Sequence, residues 1–125
     1  MTLKEAYEKL GGDYADTTCR IGEDMLLRLI GILLKDSNYT DICMSLKQQD
    51  YETAFRAAHT LKGVTLNLGL SLLAEKTAKL TETLRSAQNA DDIQLAFTDF
   101  DNAYRDMDTV FSELLDSSAP GGVEQ

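Results

Sequence analysis

Seven residues near the end of the chain, Ile93, Phe97, Phe100, Tyr104, Met107, Phe111 and Leu114, recur at intervals of three and four over about three heptads, a period that sets them along one side of a helix. A stripe this long must be covered by other helices. No segment alternates apolar and polar residues over a length useful to a strand, so the fold class is all-α. Aromatic residues at this spacing form core rather than a cofactor box. The stripe could also seed a dimer, but one such stripe is already required inside a bundle, and a monomer is expected.

The upstream segments supply the cover. Leu3, Ala6, Tyr7 and Leu10 mark a short helix ended by Gly11-Gly12, because glycine turns the chain into the left-handed conformation without steric cost. Asp13 to Gly22 reads as a connecting piece with at most one helical turn. Glu23 to Lys35 carries Met25, Leu26, Leu29, Ile30, Leu33 and Leu34, with acids at its start and a lysine at its end, which suits the helix dipole. Ser37 is placed to cap Asn38 to Gln48, whose stripe is Tyr39, Ile42, Cys43 and Leu46. Ser71 to Ala87 turns Leu73, Thr77, Leu80 and Leu84 inward. The short connections force antiparallel neighbours. The expected architecture is therefore an antiparallel four-helix bundle with an additional short N-terminal helix, spanning residues 1–115, followed by a flexible tail, 116–125, that contains Pro120-Gly121-Gly122.

One further helix carries the only histidine among the 125 residues. Asp50 can accept from the free amides of a first turn that begins at Tyr51, and the helix should run towards Gly69. Its apolar and small positions are Ala54, Ala57, Ala58, Leu61, Val64, Thr65 and Leu68. At roughly 100° per residue, His59 lies roughly 160° from the centre of that stripe and faces outward. Glu52, Arg56 and Gly63 share the outward half, while Phe55, Lys62 and Leu66 lie to one flank. A core histidine would have fallen inside the stripe.

Charge narrows the partners. The net charge is −9. Residues 1–90 hold 11 cations against 12 anions, whereas residues 91–125 hold Arg105 alone against nine acids. That balance disfavours nucleic acid and anionic membranes, both of which call for a cationic face. The acidic end reads either as a solvated face that keeps the chain soluble or as a partner-selecting surface. Neither a run of 18 apolar residues nor a secretion signal is visible, and a cytoplasmic, free-standing protein is expected. Cys19 and Cys43 lie far apart without a second cysteine or histidine at ligand spacing, and are expected to be reduced, mostly buried small side chains. No nucleotide-binding glycine loop, nucleophile–base pair or Glu-x-x-His pattern is present, so neither an enzyme with its own active site nor a metal-binding bundle is expected.

The run His59, Leu61, Lys62, Gly63, Leu68 and Gly69 resembles the H-x-L-K-G-x-x-x-x-L-G signature of histidine phosphotransfer (HPt) domains, helical bundles that relay phosphoryl groups in two-component phosphorelays. The likeness covers roughly Met1 to Leu115. Val64 and Thr65 stand where many members have Ser or Ala. On the following helix many members use Gln or Glu to steady the imidazole, and the aligned residue is Thr81.

The resemblance implies that His59 accepts a phosphoryl group and that Lys62 stabilises it. Gly63 would leave room for a partner's active-site loop. Phe55, Arg56, Leu66 and the rim of the first helix would form the docking surface, and Thr81 would take the orienting role. It further implies response-regulator receiver domains and a histidine kinase or hybrid kinase as partners, with no kinase activity and no cofactor in this chain, Mg²⁺ being supplied by the receiver. The alternative is an all-helical interaction adaptor whose histidine is never phosphorylated.

Overall fold

A computed structural model describes residues 1–86 and 89–118, and among them no strand occurs. The helices are α1 (Leu3–Leu10), α2 (Tyr14–Ile21), α3 (Glu23–Leu34), α4 (Asn38–Lys47), α5 (Tyr51–Asn67), α6 (Ser71–Ser86) and α7 (Ala90–Ser118). The all-α expectation holds. Ala87, the expected last residue of the sixth helix, and residues 119–125 of the expected tail lie outside the described residues. The tail's first three residues, 116–118, continue α7.

α1 is closed at its start by a reciprocal cap. The Glu5 amide donates to Thr2 Oγ1 at 3.1 Å and the Thr2 amide to Glu5 Oε1 at 2.8 Å, satisfying two otherwise unpaired donors. Gly11, at φ 67°, ends it. Leu3, Ala6, Tyr7 and Leu10 are all buried, as their spacing predicts.

The connecting piece is a two-turn helix instead. In α2 the Asp13 side chain accepts from the Asp16 amide and Arg20 pairs with Asp16 at 2.9 Å, so local polar bonds hold it. Only Thr17 on it is fully buried, which is why no apolar stripe announces the helix. For the same reason Cys19 is exposed, and Cys43 is only partly buried; both thiols are free. Neither is the buried side chain expected.

α4, α5, α6 and α7 form the antiparallel bundle. α5 packs between α4 and α6, and α6 packs on α7. Tyr39 of α4 stacks on Tyr104 of α7, centroids 4.3 Å apart and planes 9° from parallel, while its hydroxyl donates to Asp101, which ties the first helix of the bundle to the last. Phe100, Met107 and Phe111 fill the centre with Leu61 and Leu80. Phe97 is half-buried rather than core. Between α4 and α5 the chain reverses at Gln49, the one non-glycine residue at positive φ (58°) among the described residues, with the Asp50 amide donating back to the Ser45 carbonyl at 2.8 Å. Ser37 precedes α4, but its hydroxyl meets Asp41 at 3.3 Å and makes no bond to a helix amide.

α1 packs on α7, and with α2 it reaches the C-terminal end of α5 by hydrogen bonds. The last carbonyls of a helix have no partner inside it. Here the Asn67 carbonyl accepts from Arg20 at 3.1 Å, Leu68 from the Tyr7 hydroxyl at 2.6 Å and Gly69 from the Asp13 amide at 2.8 Å. Gly69 sits at φ 66°, and a Cβ there would lie 1.8 Å from Thr17 Oγ1. The Leu-Gly pair after the histidine helix is thus a packing and turn requirement.

Candidate functional site

The reactive candidate stands on the middle of α5. Asp50 caps the helix, accepting from the Thr53 amide at 3.2 Å and the Thr53 hydroxyl at 2.7 Å; these bonds hold its carboxyl below the usual carboxylate range. Ala54, Ala57, Ala58, Leu61 and Thr65 are buried on the inner face, and the Thr65 hydroxyl is satisfied by the Leu61 carbonyl at 3.0 Å. Three of these five are Ala, which lets neighbouring helices approach closely. The helix is therefore fixed from within, and His59 is exposed on the opposite side.

Around the ring, Gly63 is exposed one turn on, and a Cβ added there meets nothing within 4 Å. Its backbone is helical, so neither packing nor conformation calls for glycine. In a helix interior Gly costs about 1 kcal/mol relative to Ala. Leu66, two turns from the histidine, is 58% exposed. Arg56 is exposed and pairs with Glu52 at 3.1 Å, an arrangement open to solvent and weakly stabilising. Lys62 is partly buried and makes no ion pair among the described residues. By helical rotation Lys62 and Phe55 lie on the flank of His59 that faces α6, and Arg56, Thr60 and Asn67 lie on the other.

Phe55 is half-buried and stacks on the imidazole, centroids 5.9 Å apart and planes 17° from parallel. Above it lies Arg85 of α6, its guanidinium carbon 5.5 Å from the Phe55 centroid and paired with Glu82 at 3.0 Å. Sequence reasoning passed over Arg85. The available signal was its place one turn beyond Thr81, on the helix next to α5.

Thr81 is not placed to hold the ring by a hydrogen bond. It is wholly buried, its hydroxyl donates to the Thr77 carbonyl at 2.7 Å, and no hydrogen bond joins it to His59. A short β-branched hydroxyl on a helix satisfies itself on the preceding turn rather than reaching a neighbouring helix. The first helix offers no exposed apolar rim. All four apolar residues of α1 are buried, whereas α3 exposes Ile32 (58%) and Met25 (44%). Between α3 and α5 runs a groove of about 350 Å³ lined by Leu29, Ile32 and Leu33 on one side and Thr60, Val64 and Asn67 on the other.

Among the described residues no group of three or more His, Cys, Asp and Glu side chains is placed to hold a metal ion, and no helix is long and apolar enough to cross a membrane. The arrangement offers a solvent-facing imidazole, a neighbouring ammonium, a bare backbone patch and an adjoining apolar groove. No curated protein and no solved structure matches the chain. The family model of the Hpt domain matches residues 26–116, well over half of the sequence and all of α4 to α6. The chain therefore belongs to the Hpt domain family, whose members are phosphocarrier modules of histidine phosphotransfer in phosphorelays.

Proposed function

We propose that this chain is a cytoplasmic, monomeric relay protein that carries a phosphoryl group on His59 between receiver domains of response regulators, or from a histidine or hybrid kinase to such a receiver. The observation that carries the reading is an exposed imidazole beside Gly63, whose missing side chain leaves open space on the outer face of a rigid helix. A second protein's loop can approach there without meeting a Cβ.

In the forward step, the lone pair of an unprotonated ring nitrogen forms the N–P bond as the P–O bond to the receiver's aspartate breaks. The carboxylate leaves with the electron pair, and the second ring nitrogen keeps its proton. The reverse step returns the group to an aspartate. Lys62 offsets the charge of the phosphoryl oxygens from this side, while a Mg²⁺ held by the receiver would supply positive charge from the other. No base or nucleotide site is required of this chain. Leu66 and the α3 groove supply apolar docking area, with Arg56 and Lys62 facing the acidic pocket of the partner.

The test is intact mass after incubation with a phosphorylated receiver and Mg²⁺. A gain of one phosphoryl group that acid removes, and that His59→Gln abolishes without loss of helicity, is the expected result. Label retained by the variant sinks the assignment, and no label on either chain leaves a helical interaction adaptor.

A further inference from the structure

Resting on the phosphocarrier reading, a second assignment concerns what aims the imidazole. A histidine on an exposed helical face has several staggered rotamers open to it, and in-line transfer requires one. No hydrogen bond from any described residue restrains the His59 ring. Thr81 spends its hydroxyl inside α6. What does touch the ring is Phe55, one turn back at i−4, in the near-parallel contact at 5.9 Å. Helical side chains lean towards the N-terminus, so His59 is carried over Phe55 by the backbone itself.

Phe55 is in turn packed from a second side. It is half-buried, and Arg85 lies 5.5 Å from its centroid, reaching across from α6 while tethered to Glu82 at 3.0 Å. A guanidinium over an aromatic face is attracted by the ring's quadrupole. The order Glu82, Arg85, Phe55, His59 thus links two packed helices to one imidazole.

We infer that Phe55, held by Arg85, is the positioning residue for His59, setting the plane of the ring by stacking rather than by a hydrogen bond. Docking is then the lesser part of Phe55's role. A ring held by one face keeps both nitrogens accessible at its edge.

Positioning and docking separate when a small donor is used, because phosphoramidate needs no protein surface. Wild type, Phe55→Leu, Phe55→Tyr, Arg85→Gln and Leu66→Ala are labelled with phosphoramidate and, in parallel, by a phosphorylated receiver at varied concentration. Proton NMR of the His59 ring and circular dichroism accompany each. Phe55→Leu is expected to slow labelling by both donors about tenfold, lowering kcat with KM for the receiver unchanged, and to displace the His59 ring resonances while helicity stays. Phe55→Tyr restores the rate, Arg85→Gln falls between, and Leu66→Ala affects only the receiver reaction. Phe55→Leu labelled by phosphoramidate at the wild-type rate, with only KM for the receiver raised, makes Phe55 a docking contact and overturns the inference alone. A wild-type chain that takes no phosphoryl group from either donor overturns the phosphocarrier reading and this one with it.

Discussion

The Tyr7 hydroxyl donates to the Leu68 carbonyl oxygen at 2.6 Å, joining the first helix of the chain to the end of the histidine helix across 61 positions. The phenol is fully buried, and its ring lies 5.8 Å from that of Phe111 and 6.2 Å from that of Tyr14. Tyr7→Phe keeps the rings and strands a buried carbonyl. A loss of about 1–3 kcal/mol in chemical denaturation is expected, with phosphoramidate labelling of the folded chain unchanged. A variant as stable as wild type would mean that this carbonyl finds water.

Gly63 and Gly69 belong to one motif and should respond oppositely to alanine. At Gly63 a Cβ meets nothing, so Gly63→Ala should stabilise the fold by about 0.5–1 kcal/mol while slowing transfer to a receiver. At Gly69 the positive φ and the 1.8 Å approach to Thr17 Oγ1 make alanine destabilising by about 3 kcal/mol. Denaturant midpoints of the two variants, with transfer rates for the first, check both signs.

Alkaline pH should loosen the bundle. Burial pushes the Tyr104 phenol from 10.0 up to about 12, and burial likewise raises Tyr7 and Tyr39, the latter helped by its bond to Asp101. Between those values the unfolded chain releases protons that the folded chain keeps. Stability is therefore full below about pH 10 and falls as pH rises through the folded-state values. Denaturation midpoints measured from about pH 8 to pH 11 should decline only above about pH 10, and a flat profile would contradict the burial of these phenols.

Ile32 is 58% exposed beside the α3–α5 groove. Ile32→Asp should leave stability within about 0.5 kcal/mol, since the residue is outside the core. In receiver titrations it should raise KM severalfold without altering labelling by phosphoramidate. An unchanged KM would move the docking surface off α3.

Most of the fold was legible because burial follows period. The stripe of α7 apart from half-buried Phe97, the inner face of α5 apart from half-buried Val64, and all four buried residues of α1 stand where their spacing places them. α2 was missed because Asp13, Asp16 and Arg20 hold it by polar bonds, and period detects only apolar faces. Met25 belongs to the apolar pattern of α3 yet is 44% exposed, since that helix is apolar almost all round and the pattern cannot say which side is covered. Outward-facing His59 and Gly63 could be read from helical rotation alone. The place of Arg85 one turn beyond Thr81 was a signal for its helix face only, because its contact with Phe55 arises between helices.

The clasp on α5 has a consequence for any attempt to transplant this module. The family match starts at residue 26, yet Tyr7, Asp13 and Arg20, all upstream of it, cover the carbonyls of Leu68, Gly69 and Asn67 where the histidine helix ends. A fragment trimmed to the shared region would leave those oxygens to water and uncover the flank of α7 that α1 shields. The smallest portable unit is thus longer at its front than kinship suggests.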